Sequence, residues 1–575
     1  MLNRLAETEK GEAASAALSR LRRLDRNFEY LYTECGLVRT TLNSLAFELS
    51  DAQKRLTAAL DDASASGFTV HPDGAVSYPS EGKAINGKPY PAGKATSSTV
   101  GTPYGPTLGL TSGPPPLAIQ SPNHTRAQDI ADRIRSALDD AKEADRRGTA
   151  ALAKLKAAPG LTVDTKTWTD AAGDADAVRA MAHTYLKDNI PLDSPPAERT
   201  TWWTHLTQAE REQYLATYPD IIGNLDGIPA EVRDTANRDN LQLLIGELAG
   251  RDGEKARAQL EGLRSIDQQL REKPRDGAPP MYLLGIGDQG NGRAIVSFGN
   301  PDAARNVAAY VPGLGTKLDG DFAETDIQRA RDTAKGARGY DKSSAAIVWL
   351  GYDAPQLPAE SLINNTDVMF EGRAKAGASS YNQFMAGISS TNQHADPHVT
   401  AIGHSYGSFT VGQAAQQKGG IPGADDIILL GSPGTGANSA EDLGVGKNHV
   451  YVGAAENDPV TRMPSKRGVL GGYSELLLNV AGGPASGLAG PTGDAVAGHR
   501  LSEDQSHNWF GTDPAHKDFG ATRFKVADGP VPVVGGQGPT PAHSNYFNPE
   551  KDRESADNIA RIVAGSNGLT FQEHR

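Results

Sequence analysis

Cysteine is almost missing. Cys35 is the only one in 575 residues, which excludes an intrachain disulfide and any cysteine-built metal centre. A basic excess is missing too. Lys and Arg total 57 against 70 Asp and Glu, a net charge of −13. A nucleic-acid partner needs a basic face, so none is expected. No apolar run approaches the roughly 20 residues of a membrane-spanning helix, so no integral membrane segment is expected. The opening residues Met1–Lys10 lack the apolar core of a secretory signal, and cytoplasmic residence is the default expectation. There is no H-E-x-x-H and no calcium-loop spacing of acids, so neither a metal nor an organic cofactor is expected.

Glycine and proline are plentiful, at 64 and 36 residues, and point to long loops as well as turns. The length suggests two or three units at about 150 residues each. The N-terminal third is periodic. Leu21, Leu24, Phe28, Leu31, Cys35, Val38, Leu42, Leu45, Leu49, Ala52, Leu56 and Ala59 alternate steps of three and four. Such a seam asks for a partner helix along its length, and Cys35 on it reads as a buried small hydrophobe. Ala127, Ile130, Ile134, Ala137, Ala141, Ala144, Gly148, Ala151 and Leu155 form a second seam. Together they predict an antiparallel hairpin or part of a bundle over 1–160, able to meet a helical partner or a second copy. Phe68–Tyr78, turning at Pro72-Asp73-Gly74, predicts a small β-hairpin between the helices. Residues 79–121 are rich in Gly, Pro, Ser and Thr and read as a mobile loop. Residues 161–275 read as a helical connector. Thr207 and Glu210 form a capping box there, and Gly227-Ile-Pro229 opens another helix.

From 276 to 575 the period changes. Short apolar runs recur at 282–286, 294–298, 307–311, 345–350, 399–402, 427–430 and 449–452, with helix-like segments between several of them. The first two runs predict an antiparallel hairpin. The rest predict a mainly parallel sheet flanked by helices, an α/β class.

Gly403-His404-Ser405-Tyr406-Gly407 spells G-x-S-x-G between the run Val399–Ile402 and a helix-forming stretch, Ser408–Lys418. Strand, sharp turn and helix are the setting of a nucleophile elbow, with Ser405 as nucleophile and Gly403 and Gly407 permitting the bend. The architecture is then an α/β-hydrolase fold. Serine needs a base held by an acid. Asp458 lies just past the run 449–452 and is the expected acid, with Glu456 the fallback. The base must follow the last strand, Thr522–Ala527, and precede the final helix, Ser555–Val563. Of His499, His507, His516 and His543, only His543 does so. His404 beside the nucleophile reads as structural. The oxyanion hole draws one N–H from Tyr406 and one from Pro312-Gly313-Leu314-Gly315-Thr316, with Leu314 ahead of Gly315. A glycine-rich stretch at 466–498 reads equally as a lid or a surface loop.

These residues carry a resemblance. Trp202-Trp203, Tyr218-Pro219, Asn224–Pro229, Arg233–Arg238, Val311–Gly315, Gly403–Gly407, Gly431–Gly434, Glu456–Asp458 and His543-Ser544 resemble a family of actinobacterial α/β-hydrolases known mainly as a domain of unknown function. The resemblance implies a Ser-Asp-His hydrolase and no particular substrate. The N-terminal third also resembles a WxG-type hairpin of type VII (ESX) secretion, with Glu9-Lys10-Gly11 at the motif and Glu in place of Trp. It implies export as the alternative to cytoplasmic residence. The leading expectation is an esterase- or lipase-like enzyme acting on a small-molecule or lipid ester. An acyltransferase or peptidase shares the same triad, and a non-catalytic, secretion-associated interaction protein is the competing class.

Overall fold

The computed structural model describes residues 11–82, 87–97, 121–156, 162–272, 274, 277–356, 366–462, 507–531 and 541–574. The stretch 466–498, read equally as a lid or a surface loop, and His499 lie outside them, as do Glu9 and Lys10 of the WxG position. The chain divides into two compact units. One holds residues 34–161 and 173–190; the other holds residues 1–33, 162–172 and 191–575. Among the described residues no helix is long and apolar enough to cross a membrane.

The smaller unit is built on α1 (Glu12–Ala65, from residue 34) and α2 (Pro122–Lys154). Ser121 caps α2, its hydroxyl accepting from the Asn123 N–H. The two helices run antiparallel: Glu48 pairs with Arg147, Arg55 with Asp140 and Asp62 with Arg133, each seven-residue step down one helix matching a step up the other. Strands β1 (Thr69–Val70), β2 (Val76–Tyr78) and β3 (Gly93–Ala95) pair antiparallel and close over Ala59, Ala63, Ala127, Ile130 and Ile134. β3 lies inside the segment expected to be a mobile loop. Its backbone pairing to β2 holds it where its composition gave no signal.

The seam expected along α1 is buried only from Ala52 onward. Upstream, Leu37, Thr40, Thr41 and Ser44 are buried, while Leu24, Phe28, Leu31, Leu42 and Leu49 stay exposed. Cys35 is exposed as well, against the expectation of burial. Leu37 packs instead on Ala175 and Val178 of α3 (Thr165–Ala182). The Thr41 hydroxyl donates to the Leu37 carbonyl, so it is satisfied within its own helix.

The larger unit begins its helical part with α4 (Pro196–His205), α5 (Gln208–Thr217), α6 (Pro219–Asn224), α7 (Ala230–Ala249) and α8 (Glu254–Arg271). The Thr207–Glu210 capping box forms as expected. Pro229 stands at the N-cap of α7, so Gly227-Ile-Pro229 opens this helix as expected. These helices are tied to the sheet: the Asn224 amide bridges the Ile286 backbone in both directions, and Asn237 donates to the Leu283 carbonyl.

The sheet has eight strands. They are β4 (Met281–Gly287), β5 (Arg293–Phe298), β6 (Asn306–Val311), β7 (Ser344–Leu350), β8 (His398–His404), β9 (Asp426–Leu430), β10 (Val450–Gly453) and, after a small hairpin of β11 (His507–Asn508) and β12 (Gly511–Thr512), β13 (Thr522–Arg523). Their order is β13-β10-β9-β8-β6-β7-β5-β4. β4 and β5 pair antiparallel, β5 meets β7 antiparallel, and every other pairing is parallel. Both faces are covered, which is why the strands read as continuous apolar runs. Val307, Ala309 and Val311 of β6 face α10 (Thr366–Thr391) and α11 (Tyr406–Ala415). Ala308 and Tyr310 face α9 (Ile327–Tyr340) and α12 (Arg553–Val563). The parallel strands therefore deliver their C-terminal ends to one edge.

Candidate active site

Ser405 follows the last residue of β8 and precedes the first of α11. Its backbone has φ 57° and ψ −130°, and it is the one non-glycine with positive φ among the described residues. Holding that conformation costs about 1–3 kcal/mol, so the surroundings must enforce it. They do so through close backbone approach. A Cβ at Gly403 would come within 2.5 Å of Ser408 Cα, and one at Gly407 within 2.1 Å of the Val311 oxygen. The Ser405 N–H donates to the Leu430 carbonyl at 2.9 Å, and the Ser408 hydroxyl to the Gly403 carbonyl at 3.0 Å.

The loop after β6 lies directly against this serine. A Cβ at Gly313 would sit 3.0 Å from Ser405 Oγ. Gly313 is thus required at a position the sequence marked only as part of a glycine-rich loop. Gly315 drops out as an oxyanion donor, because its N–H is taken by the Pro355 carbonyl at 2.9 Å. Leu314 lies between them, on the loop that Gly313 brings against Ser405. Tyr406 opens α11, where first-turn amides have no acceptor within the helix.

Asp458 is fully buried past the end of β10. Its Oδ2 accepts from His543 Nδ1 at 2.8 Å and from the Tyr546 hydroxyl at 2.7 Å, and its Oδ1 accepts from the Val460 N–H at 3.0 Å. Burial alone would push this carboxyl up. The His543 ring and the three donors outweigh burial and hold it below the usual carboxylate range. Glu456, the fallback acid, is exposed and paired with Arg462.

His543 sits on a short helical turn, Ala542–Ser544, between β13 and α12. With Nδ1 donating to Asp458, Nε2 is the nitrogen left to act as a base. Gly431, just past β9, makes room for the pair: a Cβ there would meet His543 Nδ1 at 2.7 Å and Asp458 Oδ2 at 2.9 Å. His507 is exposed in β11, and His516 turns back on the Asp518 N–H. Neither joins Asp458.

His404 is more than packing. It is buried, and its Nε2 lies 2.8 Å from the His543 carbonyl, which can only accept. Nε2 therefore carries the proton. Burial first, then the neighbouring His543 and Arg329, hold the His404 pKa well below its usual value, so the ring is neutral. Beneath it Arg329 donates to the Tyr310 hydroxyl and to Asp326, on a π-helical turn, Phe322–Asp326, that leads into α9. Neither Tyr546 nor Gly431 was singled out for a role in the sequence. Tyr546 stands three residues after His543, but nothing in the sequence says that its hydroxyl meets Asp458.

Serine on a strained turn after a central parallel strand, with an acid and a base on the loops that follow, defines an α/β-hydrolase. Residues 288–467 match the family described as "Alpha/beta hydrolase", a span that includes Ser405 and Asp458 and ends before His543. The uncharacterized protein Mb0988c of Mycobacterium bovis is 34% identical over 245 residues, which cover 40% of this chain and 87% of that one. The chain belongs to this α/β-hydrolase family. It is also 31% identical over 414 residues to the uncharacterized protein Rv2079 of Mycobacterium tuberculosis, covering 66% of this chain and 58% of that protein's length. Among solved structures, an esterase of the archaeon Pyrobaculum calidifontis aligns at 15% identity with a TM-score of 0.25, covering 57% of this chain and 97% of that one.

Proposed function

We propose that this protein is a serine hydrolase that cleaves carboxylic esters through Ser405, His543 and Asp458. The observation that carries the reading is the buried Asp458–His543 hydrogen bond, with Ser405 strained at the end of β8 on the same edge of the sheet. His543 Nε2 takes the Ser405 proton as Oγ attacks the ester carbonyl. Asp458 stays ionised and stabilises the imidazolium that forms. The N–H groups of Tyr406 and Leu314 receive the oxyanion. The imidazolium then protonates the leaving alkoxide, and water, activated by the same His543, releases the acid. Ser405, half-buried beside a glycine loop, suits a small acyl group approaching over Gly313. The test is labelling with a fluorophosphonate and turnover of short acyl nitrophenyl esters. Both should vanish in Ser405→Ala, and labelling that persists there would overturn the assignment.

A further inference from the structure

The geometry points to Tyr546 as a positioning residue that sets how strongly Asp458 holds His543, through a hydroxyl bonded to the same carboxylate oxygen that His543 uses. This rests on the reading of Ser405, His543 and Asp458 as one catalytic set. Tyr546 is fully buried. Its hydroxyl accepts from the Ala455 N–H at 3.0 Å and donates to Asp458 Oδ2 at 2.7 Å. One backbone amide therefore fixes the phenol, and the phenol fixes the carboxylate. Oδ2 also accepts from His543 Nδ1 at 2.8 Å. Two donors on one oxygen share its negative charge, so each bond is weaker than it would be alone.

The consequence for a serine hydrolase is specific. An acid that grips the imidazolium too tightly stabilises the protonated ring and weakens the histidine as a general base. Tyr546 draws charge off Oδ2 and limits that grip, while Val460 N–H on Oδ1 keeps the carboxylate from rotating. The other titratable groups near these side chains come from several elements. His404 faces them from β8, Tyr310 from β6, and the Asp326–Arg329 pair from the head of α9. Glu456 and Arg462, on the loop after β10, pair with each other. None of these is bonded to Oδ2.

The test uses the full chain with Tyr546→Phe and, separately, with 3-fluorotyrosine at 546, a more acidic phenol and a stronger donor. In Tyr546→Phe the acid limb of the kcat/KM profile on a nitrophenyl ester should move to higher pH by about 0.5 unit. The fluorinated chain should move it the other way. The downfield proton NMR signal of His543 Nδ1–H should follow, shifting downfield in Tyr546→Phe as the bond to Asp458 strengthens and upfield in the fluorinated chain. Lost packing alone does not give opposite shifts. The proton signal needs no turnover, so it decides this inference even if no ester is cleaved. An unmoved signal in both proteins overturns it. Should Tyr546→Phe fail to fold, the fluorinated chain decides, and an unmoved signal there overturns it as well.

Discussion

At Ser405 stability and chemistry pull in opposite directions. Its positive φ costs about 1–3 kcal/mol, whereas glycine adopts that backbone freely and gives up only about 0.5–1 kcal/mol to its flexible unfolded state. Ser405→Gly should therefore melt above Ser405→Ala, although both are inactive; differential scanning calorimetry of the pair is the check. The His543–Asp458 pair is equally intolerant of intrusion. Gly431 carries φ +53° and faces His543 Nδ1 and Asp458 Oδ2. Gly431→Ala should displace that pair by an ångström or so and cut kcat by roughly 10²-fold, with far-UV circular dichroism unchanged. Asp458→Asn keeps the shape but forces the wrong His543 tautomer, and should cost on the order of 10³–10⁴ in kcat on the same ester. The strained turn at Ser405 and the meeting of Asp458 with His543 were legible because each lies after a strand in a fixed order. Gly431 and Tyr546 were not, because their meaning depends on which side chain stands opposite. Gly315 failed as a donor for the same reason, since Pro355, forty residues away, takes its N–H.

Among the elements, the sheet strands were legible because burial on both faces leaves unbroken apolar runs, and β4 to β10 fall where those runs do. α1 was legible as a helix but not in its buried face. Steps of three and four fit a coiled-coil seam, yet in the first half of the smaller unit's α1 the buried stripe is Leu37, Thr40, Thr41 and Ser44. Small hydroxyl residues allow close packing without announcing it in a hydropathy pattern. β3 was invisible because backbone pairing, not its side chains, makes it a strand. At the edge of the sheet away from Ser405, β8, β9 and α12 are joined by one histidine. His398 Nε2 donates to Asp426 at 2.8 Å, and Nδ1 lies 3.2 Å from the Val563 carbonyl. Both partners only accept, so each ring nitrogen has an acceptor for its proton when the ring is charged. Burial opposes that charge, but the Asp426 hydrogen bond and its negative charge win, and the His398 pKa is raised above 6.5. A raised folded-state value gives stability that is complete below about pH 6.5 and lost as pH rises through it. Denaturant midpoints measured at increasing pH should fall across that window, and Asp426→Asn should flatten the fall.

Across the whole molecule, the hydrolase unit does not begin where the sheet-forming sequence does. The change of period near residue 276 marks the first strand, but the helices before it are fastened to that strand through Asn224 and Asn237. A further short segment, residues 162–172, belongs to the same unit. There Trp168 is buried, Tyr30 meets its ring edge-on at 6.0 Å, and the Thr169 hydroxyl donates to the Gly246 carbonyl of α7 at 2.9 Å. Gly246 is glycine because a Cβ would lie 2.7 Å from the Trp168 carbonyl carbon. A chain beginning at residue 162 loses Tyr30 but keeps the packing of this segment on α7, and a chain beginning at 191 loses that too while retaining every residue of the candidate site. Removing a buried tryptophan side chain costs about 3–5 kcal/mol. The shorter chain should therefore unfold at clearly lower urea than the longer one, and Trp168→Ala in the full chain should reproduce most of the loss. Ser405 should still take a fluorophosphonate in all three at low temperature, since Trp168 touches α7 and not the strand ends. Equal urea midpoints for the two shortened chains would show that the hydrolase unit is complete from 191 onward.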